Sequence, residues 1–194
     1  MPALTLASES PRRLALLAQA GIVPDRVCAA GIDETPRPGE LPRDYALRLA
    51  AEKAEFVINS FGISGGLVLA ADTVVACGRR ILPKAVDKIA VEACLNMLSG
   101  RRHMVLTAVA VAAPGGFTRR RVVATRVSFR RLNAEEIAVY IASGEGVGKA
   151  GGYAIQGRAE CFVQALNGPY SNVVGLPLSA TVTLLRGCGY SFPC

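Results

Sequence analysis

Tryptophan is absent from these 194 residues, and histidine occurs once, as His103. A Ser–His–Asp or Cys–His catalytic set would have to use that single imidazole. It follows SGRR at the start of an apolar run, where a structural hydrogen bond suits it better. The six cysteines are Cys28, Cys77, Cys94, Cys161, Cys188 and Cys194, and none forms a C-x-x-C pair. A structural zinc site therefore lacks its ligand spacing, and reduced thiols in a cytosolic chain are expected. Long apolar runs are missing too. The longest, GGLVLAADTVVACG, is too short for a bilayer and is broken by Asp72, so no membrane span is read. The first residues show no basic stretch leading into an apolar segment, so no signal peptide is read. Neither G-x-x-x-x-G-K-[ST] nor a strand-linked G-x-G-x-x-G occurs, which disfavours a P-loop NTPase and a Rossmann dinucleotide binder.

What remains is a core-forming chain with an excess of positive charge. Hydrophobic residues make up 51 % of it, enough for one domain over residues 1–194, with room for two lobes. The net charge of +7 comes as scattered pairs, such as Arg79–Arg80, Arg101–Arg102 and Arg130–Arg131. A nucleic-acid binder more often shows a basic stripe with interleaved aromatics. Scattered pairs read as solvated surface, and their field favours the arrival of an anionic small substrate. No nucleic-acid and no membrane partner is expected.

Along the chain, LTLAS reads as a strand, and Ser10–Pro11 as N-cap and first residue of a helix that Gly21 ends. A short strand is expected around RVCAAGI, followed by the proline-rich loop GIDETPRPGE. PRDYALRLAAEKAEFVIN reads as a helix whose apolar face carries Tyr45, Ala46, Leu49, Ala50, Phe56 and Val57, with Arg48 and Glu55 opposite. LVLAADTVVACG reads as a strand buried on both faces. DKIAVEACLNMLSG is a helix capped by Asp87, with Ala90, Ala93, Cys94, Met97 and Leu98 as its expected buried side. HMVLTAVAVAAP and TRRRVVATRVSFRRL form a hairpin about a PGG turn. NAEEIAVYIASG is a helix with an Asn133–Glu136 capping box. The glycine-rich loop GEGVGKAGGYAIQG comes next. AECFVQALNG reads as a strand, PYSNVVGLP as a loop and LSATVTLLRGCG as a last helix. Early alternation of strands and helices around a central hairpin predicts a mixed-sheet α/β domain.

Several ionisable groups resist a bland reading. Arg12 and Arg13 stand with Ser8 and Ser10 where the first strand turns into the first helix. They read either as a surface pair or as a cradle in which hydroxyls, N–H groups and planar guanidinium forks meet phosphate oxygens. Lys53 is centred on an apolar helix face, so its ammonium must snorkel out or meet an anion. Asp72 interrupts a buried strand, and its carboxylate needs either a structural ion pair or a metal. Lys84, in ILPKAVDK, reads as an exposed lysine or as another anion contact. Glu34 and Glu40 lie on the proline-rich loop. Glu34 is either solvated or joins Asp72 on Mg²⁺, which takes one or two carboxylates together with substrate phosphates.

SESPRR after the first strand resembles the signature of the Maf family of house-cleaning nucleoside triphosphate pyrophosphatases. Further motifs of that family follow in order: GIDE, E-x-P-x-x-Y leading to LAAEKA, AADTVV, EACLNMLSGRRHMVLT, SGEGVGKAGGYAIQG and GPYSNVVGLPL. The resemblance covers essentially the whole chain. It implies a mixed, twisted sheet with flanking helices and two lobes around a nucleotide cleft, as in inosine triphosphate pyrophosphatases. It implies cleavage of a nucleoside triphosphate to monophosphate and pyrophosphate with Mg²⁺ or Mn²⁺, and a possible homodimer. On this resemblance Ser8, Arg12, Arg13, Lys53 and Lys84 hold phosphates. Glu34 and Asp72 bind the metal, and Asp72 also serves as the base that activates water. KAGGYAIQG is similar to the branch acting on dTTP, UTP and modified uridine triphosphates, with Arg12, Thr73 and Gln156 expected to set that preference. The family's Gly–Lys–Pro turn reads Pro83–Lys84–Ala85 here, and Pro169 replaces a common serine. Two alternatives stand beside this reading: a non-enzymatic nucleic-acid-binding or cell-division regulatory protein, and a purine (inosine) triphosphate pyrophosphatase.

Overall fold

The computed structural model describes residues 2–191; Cys194 lies outside them. A mixed sheet of seven strands runs in the order β2–β1–β3–β5–β6–β7, with β4 paired to β3. The strands are β1 (Leu4–Leu6), β2 (Arg26–Val27), β3 (Leu67–Cys77), β4 (Arg80–Leu82), β5 (Arg102–Ala112), β6 (Thr118–Phe129) and β7 (Val163–Asn167). Strand β1 is parallel to both β2 and β3, whereas β3–β4 and β6–β7 are antiparallel. The helices are α1 (Pro11–Gln19), α2 (Pro42–Ser60), α3 (Lys88–Leu98), α4 (Ala134–Ser143), α5 (Tyr170–Val174) and α6 (Leu178–Gly187).

The chain divides into two compact units. The first holds the residues up to Asp72, Thr107–Val123 and those from Gly175 on. Its core includes Leu4, Leu6, Leu17, Leu49, Val57 and the run Val68–Ala71, all buried. The second holds Thr73–Leu106 and Ala124–Val174. It is organised on a buried aromatic group. The His103 ring meets Phe129 and Tyr153 edge-on at 5.0 and 5.4 Å, and Phe162 lies 5.3 Å from Tyr140. Such T-shaped contacts are the favoured aromatic geometry. The His103 Nε2 lies 2.8 Å from the Tyr153 hydroxyl, the structural hydrogen bond expected of it.

Local signals set most boundaries. Asp87 Oδ1 accepts from Ala90 N–H at 2.7 Å, capping α3, and Asn133 with Glu136 closes a capping box on α4. Ser10 is the N-cap of α1, but its hydroxyl makes no capping bond. Three expectations need correction. The buried stripe of α3 is Val91, Cys94, Leu95 and Leu98, because this phase covers larger aliphatic groups than the alanines of the expected one. Residues 158–162 form a 3₁₀ turn before β7, since the Glu145 carboxylate accepts from Arg158 N–H at 2.8 Å and opens a turn there. Residues 170–174 are helical rather than loop. Strand β4 adds to the expected elements: the turn at Gly78, with φ +61°, folds Arg80 back onto Cys77.

Candidate active site

The first unit holds six of the charged or hydroxylic groups singled out above. Past the end of β1, Ala7 N–H donates to Leu69 C=O at 2.8 Å, holding the chain beside β3 as it turns into α1. Ser8 is buried there. Its Oγ accepts from Arg13 Nη1 at 2.9 Å, and Arg13 Nε donates to Gly175 C=O at 2.9 Å. Arg13 thus lies against the strand–helix corner rather than in open solvent. Burial lowers its pKa, while the negative charges of Asp72 and Glu34 act to raise it. Arg12, one residue earlier on α1, is half-buried, and its pKa too is lowered by burial.

Lys53 meets an anion, and in fact two. From the buried face of α2 its Nζ reaches Asp72 Oδ1 at 2.5 Å and Glu34 Oε1 at 2.7 Å. Both Lys53 and Asp72 are buried, at 6 % and 5 % exposure. The helix wheel places Lys53 inward, strand β3 places Asp72 inward, and the GIDE loop brings Glu34 over both. The structural ion pair and the convergence with Glu34 and Arg13 are therefore features of the same carboxylate. Tyr45, two turns earlier on α2, donates its hydroxyl to Glu34 C=O at 2.5 Å. Burial, then the charges of Asp72 and Glu34, push its phenol up to about 12.

Two carboxylate oxygens facing one cationic point form a hard-oxygen donor set. Among the described residues no group of three or more His, Cys, Asp or Glu side chains could hold a metal ion. Glu34 and Asp72 offer oxygen donors only, the chemistry of an ion that takes its remaining oxygens from phosphates and water, as Mg²⁺ does. They do not fit a structural zinc.

The other predicted site residues lie in the second unit. Thr73 follows Asp72 on β3 and is half-buried. Lys84 is exposed and bridges to Ala150. That bridge is part of a zipper in which Ala85 N–H donates to Lys149 C=O at 3.0 Å and Gly148 N–H to Ala85 C=O at 2.7 Å. The Pro83–Lys84–Ala85 turn is thereby tied to the glycine-rich loop. That loop packs so tightly that a Cβ at Gly151, where φ is +67°, would lie 2.8 Å from Val75 Cγ1. Gln156 is exposed, just past buried Tyr153, Ala154 and Ile155.

Sequence reasoning missed three groups. Arg48, expected opposite the apolar face of α2, and Glu40, expected only as a residue of the proline-rich loop, form a two-pronged ion pair whose side chains are 13 % and 10 % exposed. Tyr45 was read only as apolar surface. For the two on α2, the signal is the spacing 45, 48 and 52 along one helix flank, in a chain whose preceding loop carries Asp33, Glu34 and Glu40.

Residues 3–188 match the family described as Maf-like protein. The chain is 58 % identical over 189 residues to a protein of Caulobacter vibrioides named dTTP/UTP pyrophosphatase, covering 97 % of each. It is 56 % identical over 191 residues to a protein of that name from Mesorhizobium japonicum, covering 96 % of this chain and 92 % of the other. A solved Mycobacterium abscessus structure, titled nucleoside-triphosphatase / dITP/XTP pyrophosphatase, is 19 % identical, with a TM-score of 0.49 over 97 % of this chain and 98 % of that one. The chain belongs to the Maf family.

Proposed function

We propose that the chain hydrolyses nucleoside triphosphates, dTTP and UTP foremost, to the monophosphate and pyrophosphate. The observation that carries this reading is the meeting of Glu34 and Asp72 on the Lys53 ammonium, in the unit that also holds Ser8 and Arg13. Relatives named dTTP/UTP pyrophosphatase support the choice of base. A divalent ion, Mg²⁺ or Mn²⁺, held by Glu34 and Asp72 would supply charge neutralisation on the triphosphate and a more acidic water. Asp72, whose Oδ1 engages Lys53, takes the proton of the attacking water. Attack falls on the α-phosphorus, in line with the leaving pyrophosphate. Arg12, Arg13, Ser8, Lys53 and Lys84 bind phosphate oxygens and stabilise the charge that develops there. Gln156, Thr73 and Arg12 select the base, because a site built to hydrogen-bond one base edge leaves its own groups unpaired with another. Five described cysteines are free thiols, which supports a cytoplasmic setting, and no described helix is long and apolar enough to cross a membrane.

The test is a panel of nucleoside triphosphates with pyrophosphate detection, run with and without Mg²⁺ and Mn²⁺. Pyrophosphate release from dTTP and UTP that needs the metal supports the reading. A preference for dITP and XTP moves the chain to a purine pocket. Absence of metal-dependent release from every nucleotide, with salt-sensitive nucleic-acid binding instead, overturns it.

A further inference from the structure

The loop that carries Glu34 is held by more than its own turns. Asp33 Oδ1 accepts from Thr35 N–H at 2.9 Å, and Glu40 N–H donates to Arg37 C=O at 3.0 Å across Pro38–Gly39. Gly39 has φ +75°, as the third residue of a type II turn requires. These bonds shape the loop but do not fix where it lies against α2. Arg48 does. Its Nε and Nη2 donate to the two carboxylate oxygens of Glu40, both at 2.7 Å. Nη2 also donates to Thr35 C=O at 3.2 Å, next to Glu34 in the chain, and Nη1 to Glu52 Oε2 at 3.0 Å. One guanidinium thus grips both ends of the loop, while Tyr45 holds the Glu34 carbonyl.

We propose that Arg48 and Glu40 are positioning residues for the Glu34 carboxylate, setting the loop at the reach from which Glu34 shares a divalent ion with Asp72. This rests on the assignment of Glu34 as a ligand in the function proposed above. A planar fork on a carboxylate fixes direction as well as distance, which an ammonium cannot do. The pair is largely shielded from water, and the Glu40 carboxyl is held down to about 2, first by its bonds from Arg48. The clamp therefore stays charged wherever the enzyme would work. Glu40 makes its bonds to Arg48 and the Arg37 N–H, not to Lys53, so the loop's two glutamates have separate tasks.

The experiment is a Mn²⁺ titration, read by electron paramagnetic resonance, of the protein saturated with the non-hydrolysable analogue α,β-methylene-dTTP. Arg48→Met and Glu40→Gln are each expected to weaken Mn²⁺ by about 10- to 100-fold, as loss of a group that orients a ligand does. The double variant should be no weaker than the worse single one, because both remove one contact. In turnover assays the loss should be recovered by raising Mn²⁺, a split that general loosening of the fold does not produce. Arg48→Lys keeps the charge without the fork, and should bind Mn²⁺ nearly as poorly as Arg48→Met. Should Arg48→Met fail to fold, Arg48→Lys and Glu40→Gln decide the matter. Folded variants with Mn²⁺ affinity within about twofold of the parent overturn the proposal. Glu34→Gln separates the two claims: if it leaves Mn²⁺ binding intact, the ligand assignment itself falls. If it weakens binding while Glu40→Gln does not, only the clamp falls.

Discussion

Lys53 Nζ lies 2.5 Å from Asp72 Oδ1, and its second carboxylate, Glu34, stands at 2.7 Å. The ammonium is shared, so its two partners are not equivalent under mutation. Asp72→Asn leaves an amide oxygen and the Glu34 carboxylate facing Lys53, whereas Lys53→Met leaves two carboxylates facing each other with Asp72 buried. Urea denaturation should find Lys53→Met destabilised by about 3–5 kcal/mol, the cost of stranding buried charge, and Asp72→Asn by less. Turnover should rank the other way for Asp72. Loss of a general base costs about 100-fold or more in kcat, so a folded Asp72→Asn protein with near-normal kcat removes Asp72 from that role.

Base selection is a separate matter from fold. Gln156 is exposed, so Gln156→Ala should change stability by no more than about 0.5 kcal/mol. Its effect should appear in the ratio of kcat/KM for dTTP over CTP and purine triphosphates, which falls more than the best single rate. An unchanged order of substrates removes Gln156 from base recognition.

The buried imidazole makes a pH prediction. In the unfolded chain His103 titrates near 6.5, and burial brings it down to about 4 in the folded protein. Between those values the unfolded chain binds a proton that the folded one does not. This contribution to stability is fully present above 6.5 and is lost as pH falls toward 4, about 3 kcal/mol in all. Denaturation at about pH 7 and about pH 4.5 should show the drop in the parent and a shallower one in His103→Gln. Equal slopes would mean the imidazole accepts its proton without leaving the core.

The groups that could be read directly are those whose environment is local. Asp87 and Asn133 announce their caps by composition, and the PGG turn announces the hairpin. Lys53 and Asp72 could be read as charges in need of partners, because helix and strand periodicity alone put them inside. That they need each other could not be read, since the register of α2 against β3 is a tertiary fact. Arg48 shows the opposite limit. Its wheel position adjoins solvent until the proline-rich loop folds over it, and nothing between residues 33 and 40 states which flank that loop will cover. The stripe of α3 failed for a smaller reason: two phases of one helix were both apolar, and the difference lay in side-chain volume.

Gly151 and Val75 leave no slack between them, and this makes residue 75 a position with a ceiling. Its neighbour is already the smallest residue there is, so no compensating trim remains on the loop side. Shortening Val75 to alanine opens a small gap that the loop can tolerate. Lengthening it to isoleucine must push the backbone that leads to Gln156. If Gln156 selects the base as proposed, residue 75 is a place from which to retune that choice without altering any of the residues assigned to the nucleotide.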